Sequence, residues 1–563
     1  MHHHLSLRSK LIIMGSVMAS LFLVALDQTI VSTALGKIVE EFNAFDSLSW
    51  IVTAYLLTTT VTVPIAGKLS DLFGRRTLLL SGVAIFGLGS LLSGMSANVD
   101  QLILFRALQG IGGGIITANA FTIVGDLFAA RERGKWQGLI GAVFGMSSVV
   151  GPLLGGWLTQ GAVIGSLTTD WRWTFFINVP IAIAAFVLIA IFCPSLKHDR
   201  TPKIDYRGAA LLTLGLATLV LAVDNTEMIF DSLLDATGLS LVGLRAIMFS
   251  IVAVATAGFI YVERKASEPV LPLRFFQNPN FVKVMGVAAL FGSAFMGAIL
   301  YLTQFNQQVY GATPTDSGLM LLPMVAGLMG TSITSGQIIS RTGRYKIFMQ
   351  VGIVVATAMI ALLTTLHPDT PYWHEGVIMF FLGAGLGVVM PVMTLAVQAE
   401  FKQHDLGAAT SSTQLFRSLG TTIGVAVFGA VLTAGLTTRI GDMSQNTYIQ
   451  TLRATPAGAA IIKDTSDTNT LLNLNMHDTK QTITSKFEEG IAKLPAPAQE
   501  KARETFYAQQ KDYAEKIVNA FSDSLRGIFI TSSIIMAVAA VLVFSLKEKE
   551  LPQAKPGASP GVE

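Results

Sequence analysis

The chain has 563 residues, of which 51% are hydrophobic and only 13% charged, with a formal net charge of +3 and a mean hydropathy of +0.57. That apolar fraction with so few charges excludes an ordinary soluble domain, and so small a net charge excludes a basic surface built for nucleic acid. One cysteine, Cys193, excludes an internal disulfide.

Apolar runs of about 20 residues, the length that crosses a bilayer, recur from end to end. In chain order they predict fourteen spans, near 11–35, 48–69, 77–97, 101–127, 136–160, 173–194, 207–224, 240–262, 282–308, 315–340, 346–366, 375–398, 407–436 and 520–546. The first run is too long for a signal peptide, lacks a small-residue cleavage site and is followed by many like it. The three histidines at 2–4 are read as a tag remnant or a polar start rather than a metal site.

Span 1 carries Asp27, with no other ionisable side chain between Lys10 and Lys37. A carboxylate at membrane depth is costly and marks a functional position. Trp50 and Tyr55 in span 2 are candidate cavity residues, Trp50 having interface anchoring as its alternative. After span 2 the stretch 67–76 reads Gly-Lys-Leu-Ser-Asp-Leu-Phe-Gly-Arg-Arg. Here Gly67 permits close helix approach, and Asp71 suits a neighbouring helix N-terminus. Arg75 and Arg76 can pair with Asp71 or Asp126, so Gly67, Asp71, Gly74, Arg75, Arg76 and Asp126 are read as a conformational latch.

Arg106 lies inside span 4 and needs a partner, for which Asp27 is the obvious candidate. The pair is either a static tie between helices or a proton-exchanging couple, since a carboxylate near an arginine changes its proton affinity when its surroundings change. Glycines at 110 and 112–114 lack phosphate-loop spacing and are read as helix packing. Asn119 is a further cavity candidate. In span 5, Gly151, Pro152, Gly155 and Gly156 allow tight packing and a bend.

The second half is plainer. Gln304, Asn306, Gln307 and Gln308 bring amides to the outer end of span 9, where they line a cavity or tie helices; Gln304 and Gln307 are taken as cavity candidates, with Arg417 in span 13. No acidic residue is read as lying deep in spans 9–14. The polar stretch 440–517 lies between spans 13 and 14. From Pro497 onward it reads as an amphipathic helix with Phe506, Gln510, Tyr513, Ile517 and Phe521 on one face, either capping the outer mouth or forming a solvated insertion.

Two patterns organise these spans. Arginines and lysines such as Arg8, Lys10, Lys68, Arg75, Arg131, Arg133, Lys197, Arg200, Arg264, Lys265, Arg341 and Arg344 fall before span 1 and after each even span to the tenth, so the positive-inside rule places both termini in the cytoplasm. The stretch from Gly336 through Ser340 to Gly343 and Arg344 repeats the Gly-then-Gly-Arg spacing of the loop at 67–76. The repeat predicts six spans, two inserted spans and six more: an N-terminal bundle over 1–200, an insertion over 201–280 and a C-terminal bundle over 281–563. Parallel halves of this kind hold a solute site near the midplane.

The stretch 67–76 resembles the loop signature of the major facilitator superfamily. Leu26 to Val31, Arg106 to Gly110, and Gly151 to Gly156 resemble its first-, fourth- and fifth-span drug:proton antiporter motifs, with Ser147 where the last usually has glycine. Trp171, Arg172 and Trp173 with Asn178 and Pro180 are similar to the sixth-span start of the fourteen-helix branch. The resemblance covers the first half and implies an all-α polytopic fold with alternating access. It implies proton-coupled multidrug efflux from the cytoplasmic membrane, with Asp27 and Arg106 coupling the proton. A single embedded carboxylate favours lipophilic monocations or neutral drugs over dications.

Export of a lipid or envelope precursor is the alternative, and proton-coupled uptake a weaker one. No His-Glu-x-x-His, Gly-x-Ser-x-Gly or Cys/His cluster points to an enzyme, a metal or a cofactor. The expected partners are the proton, a small amphiphile and the bilayer, with an accessory envelope protein left open and no nucleic acid.

Overall fold

The computed structural model describes residues 6–42, 48–159, 161, 163–164, 167–194, 203–223, 226–462, 464–492 and 494–551; the three histidines, Lys197 and Arg200 fall outside these. Fourteen helices in the described residues are long and apolar enough to cross a membrane. In order they are Leu7–Phe42, Leu48–Phe73, Arg75–Gly94, Val99–Leu127, Ala130–Thr159, Asn178–Phe192 preceded by the turn Trp173–Phe176, and Tyr206–Val223. Then follow Leu241–Glu263, Pro279–Gln308, Leu322–Thr342, Lys346–Leu363, Tyr372–Gln398, Leu406–Ile440 and Ala496–Phe544. They are numbered spans 1 to 14 here. Among the described residues the protein is all-α apart from a two-residue antiparallel pairing of Val163–Ile164 with Leu167–Thr168.

Fourteen helices stand where hydropathy predicts fourteen, with one difference of extent. The predicted amphipathic helix and span 14 form one continuous helix, because nothing between Pro497 and Gly527 breaks it. Its predicted apolar face is buried at Phe506, Tyr513, Ile517 and Phe521. The rest of the outer segment packs on that face: Phe487 stacks on Phe506 at 3.9 Å between ring centres, and the Tyr513 hydroxyl donates to the Leu471 carbonyl at 2.6 Å. Gln510 donates to the Tyr448 hydroxyl at 3.1 Å. Asn475 donates to the Gln308 side chain at 3.0 Å, tying the segment to the outer end of span 9.

One apolar cluster joins residues of spans 9–14 with the outer segment, and two others are built from the first six spans and their loops, with Met390 of span 12 packed against one of them. Spans 7 and 8 place Leu212, Leu216 and Phe259 against Val61 and Ile65 of span 2 and Leu415 and Leu419 of span 13. Span 8 leaves Val242, Phe249 and Val254 exposed, as a lipid-facing helix does. The linker after span 8 is held by Lys68 to Glu268 at 2.6 Å and Arg274 to Asp405 at 2.8 Å.

The first described residues and the last, up to Leu551, lie at the end of the molecule that carries the basic loops. Lys10 sits over the Phe128 ring, and the tail after Phe544 runs across the second half as a strap. There Glu548 accepts from the amides of Tyr345 and Lys346, capping span 11, and the Leu551 carbonyl accepts from Arg131 of the first half at 2.8 Å.

Lys549 meets Glu400 at 2.7 Å, alongside donors from Asn278 at 2.8 Å and Asn280 at 2.9 Å. Burial works to raise the Glu400 carboxyl, but these donors outweigh it and hold the group below its ordinary value of 4.5. A carboxyl lowered on folding stabilises above its unfolded value, and that contribution is lost as pH falls through the lowered one. The thermal-stability gap between wild type and Lys549→Gln should therefore be full above about pH 5 and shrink on further acidification. A gap that ignores pH would exclude this strap as an ionic tie.

Candidate functional site

Asp27 is wholly enclosed by the first six spans rather than turned to lipid. Arg106 on span 4 donates through Nη1 to Asp27 Oδ2, and Gln109, one turn further on the same face, donates through Nε2 to Oδ1 at 2.7 Å. Asn178 at the head of span 6 donates to the same oxygen at 3.3 Å. Ser90 of span 3 accepts from both amides, at 2.6 Å from Gln109 and 3.2 Å from Asn178. Arg106 Nε reaches the Ile51 carbonyl at 3.3 Å, and its guanidinium lies 4.3 Å over the Tyr55 ring. Five spans thus converge on one carboxylate, and every polar neighbour that contacts it donates.

Asp27 has no exposed surface in this conformation, so cargo cannot compete with a proton for it directly unless Arg106 moves. Tyr55, predicted as a cavity residue, belongs to the cage, its hydroxyl donating to the Val24 carbonyl at 3.2 Å. Gln109, Ser90 and Asn178 are not marked as site residues by the sequence. Gln109 is legible as the residue three after Arg106 on one helix face; Ser90 carries no such signal.

At the basic-loop end the stretch 67–76 bridges the halves. Asp71 accepts from the backbone amides of Gly407 at 3.1 Å and Ala408 at 2.9 Å, at the first turn of span 13. A carboxylate in that position meets the positive end of a helix dipole. Arg75, buried, holds Asp71 at 2.5 Å and Asp126 at 2.7 Å, and Gln403 of the second half donates to Asp126 at 3.3 Å. Gly74 makes the turn between spans 2 and 3 with φ 94°, a conformation that suits glycine. Arg76 departs from its predicted pairing: its guanidinium turns to the Ala190 carbonyl of span 6.

Span 5 carries the other seam. Ser332 of span 10 donates to the Gly138 carbonyl at 2.8 Å. Gly151 faces Thr29 of span 1, whose hydroxyl donates to the Ser147 carbonyl at 3.1 Å. A Cβ on Gly151 would stand 1.9 Å from that hydroxyl. Pro152 faces Gly318 in the second half, while Gly155 and Gly156 are buried in span 5 and accept from Thr159.

The remaining predicted residues do not gather at one point. Trp50 is half-buried at the start of span 2, and Asn119 is buried and donates to its own helix at Ile115. Gln304 and Gln307 are half-buried on span 9, whereas Asn306 and Gln308 tie elements together. Arg417 is half-buried in span 13 and donates to the Met390 sulfur at 3.2 Å. The reading that spans 9–14 hold no embedded acid fails at Glu375. It lies in the first turn of span 12 beside His374, so hydropathy takes it as a boundary residue, yet it is fully buried.

Comparison with known proteins fits this architecture. Residues 17–425 match the family model of the Major Facilitator Superfamily. The multidrug transporter protein MdtP of Bacillus subtilis is 36% identical over 97% of this chain and 94% of its own length. Multidrug resistance protein 3 of the same organism is 35% identical over 77% of this chain and 81% of its own length. Among solved structures, the human organic anion transporter MFSD10 aligns with a TM-score of 0.55 at 17% identity, over 75% of this chain and 93% of that one, a likeness of fold alone. With its fourteen membrane helices, its bridging loop at 67–76 and relatives along nearly its whole length, the chain belongs to the Major Facilitator Superfamily.

Proposed function

We propose that the protein is a proton-coupled antiporter that exports lipophilic cationic or neutral drugs from the cytoplasm by alternating access. The relatives named as multidrug transporters support efflux of amphiphiles. The observation that carries the coupling is the caged Asp27–Arg106 pair, a buried charge couple held by five spans of the first bundle. The basic loops, the start of span 1 and the tail to Leu551 share one side, which under the positive-inside rule is the cytoplasm. The conformation described here is then the one sealed toward the cytoplasm, by Asp71 on span 13 and Ser332 on span 5.

In the cycle, residues 1–200 and 281–563 rock as two bodies, with 201–280 covering the seam between spans 2 and 13. A proton arriving from outside neutralises Asp27 and weakens its hold on Arg106. The freed guanidinium swings within the cage, and spans 1 and 4 shift against each other. Loss of the proton on the cytoplasmic side restores the pair. Arg417 adds positive charge on the span 13 side, so the cargo is singly charged or neutral. The glycines and Pro152 of span 5 provide the flexing seam, and the stretch 67–76 the latch.

The test uses purified protein in vesicles loaded with a fluorescent lipophilic cation. Dye should move against its gradient only when a pH difference is imposed, and reversing that difference should reverse the flux. A proton moved across the membrane contributes about 2.3 kcal/mol per 100 mV, enough to sustain a useful gradient. Flux that ignores the imposed pH difference, or follows it in the same direction as the protons, would sink antiport.

A further inference from the structure

Glu375 is fully buried and has no part in the cycle described above. Counted from the duplicated loops, span 9 corresponds to span 1 and span 12 to span 4. The first pair holds Asp27 against Arg106; the second holds Asn306 against Glu375. Arg106 is the eighth residue of its helix and Glu375 the fourth of its own, so the second site sits about one helical turn nearer the outer end.

The surroundings of the two carboxyls differ in one decisive way: Asp27 has an arginine, and among the described residues the contacts of Glu375 are all neutral. The Asn306 amide, oriented with its nitrogen toward the carboxyl, lies 2.9 and 3.1 Å from the two oxygens. The Tyr310 hydroxyl is the other hydrogen-bonding neighbour, and Tyr372 on the same helix is the remaining ionisable group facing it. Span 10 meets this turn with Pro323, near Gly376. Arg526 and His367, in the same outer region, contact each other instead.

Burial and the hydrogen-bond pattern together favour the neutral acid. A phenol has one hydrogen to give, and Tyr310 gives it to the Thr370 carbonyl at 2.8 Å. With a hydrogen on the carboxyl, the phenol can keep its donation to Thr370 and accept from the acid, so all three groups are satisfied at once. An isolated charge buried in this way is costly, and such a group takes up a proton instead.

We propose that Glu375 is a second proton-carrying group, the second-half counterpart of Asp27: it takes its proton from water on the outer side, holds it while the span 9–span 12 seam is closed, and yields it to water on the cytoplasmic side when that seam opens in the other half of the cycle. This rests on the antiport reading and extends it, because each half then contributes one proton to the cycle. The acid form donates to Tyr310 and accepts from Asn306, so every polar group in the seam is satisfied. Opening the seam toward the cytoplasmic side replaces those neighbours with water, and the proton leaves to that water.

Infrared difference spectroscopy of the full chain at pH 7 tests the charge state. A protonated carboxyl band that shifts in heavy water should be present in wild type, persist in Asp27→Asn, and vanish in Glu375→Gln. Tyr310→Phe should move the band without removing it, which covers the case of a Glu375→Gln protein that fails to fold. In vesicles, Glu375→Gln should lower the protons moved per dye molecule by about half while export continues. A wild-type protein that moves no protons sinks the antiport reading. Protons moved by wild type with an unchanged ratio in Glu375→Gln, or a band insensitive to both substitutions, sinks this proposal alone.

Discussion

Asp27→Asn is expected to reduce pH-driven dye export to the level of protein-free vesicles while leaving a folded, membrane-inserted protein. Asparagine fills the same space and keeps one oxygen to accept from Arg106, while its NH2 replaces the oxygen that accepts from Gln109 and Asn178, so the cage keeps its packing and loses part of its hydrogen bonding. The charge does not survive, and Arg106 becomes a buried cation without a counterion. Breaking a buried pair on one side costs about 3–5 kcal/mol. Thermal unfolding in detergent should show a drop near the lower end of that range, since the amide oxygen still accepts a hydrogen bond. Adding Arg106→Gln removes the orphaned charge and should recover most of the lost stability, because the two sites touch and their effects do not add. It should not recover export. Stability and coupling thus separate, and a double variant that pumps dye under a pH difference would show that the pair is only a tie between helices.

Gly67→Val is expected to hold the basic-loop end apart. A Cβ at 67 would lie 2.2 Å from Ser411 Oγ and 2.9 Å from the Gly407 carbonyl oxygen, and that backbone cannot yield without moving span 13. Separating the helices also pulls Asp71 from the amides of Gly407 and Ala408, an interaction worth about 1–2 kcal/mol. Inverting a conformational equilibrium from 99:1 to 1:99 takes about 5.5 kcal/mol, which a backbone clash plus a lost cap can supply. Spin labels at Phe73 and Lys402, both exposed, should report a longer separation in Gly67→Val than in wild type. Ser411→Gly removes the nearer obstacle and should bring the labels partly back. Unchanged distances in Gly67→Val would mean that this seam does not govern closure.

The spans were legible because lipid-crossing helices announce themselves by length and apolarity, and Asp27 because nothing else ionisable shares its stretch. The bridging role of Asp71 was also legible, as a carboxylate awaiting a helix N-terminus; which helix it meets was not, since span 13 lies more than 300 residues away. Arg76 shows the same limit on a smaller scale, for two adjacent arginines look alike in sequence and only packing sends one of them to Ala190. Glu375 escaped because polar neighbours at a helix start hide burial from a hydropathy window. Ser90 and Asn178 join the cage through tertiary placement, which no spacing rule within one helix encodes.

The unbroken helix Ala496–Phe544 has a mechanical consequence. Its 49 residues extend about 74 Å, whereas the hydrocarbon layer is about 30 Å thick, so roughly 40 Å stands clear of it as a mast rooted in the second bundle. A tilt of about 10° at its root would sweep its tip through about 7 Å by the same geometry. Whatever borders the membrane on that side would be nudged at every turnover, and a dye fixed at Lys501 would serve as a remote pointer for motions that are small at the site itself.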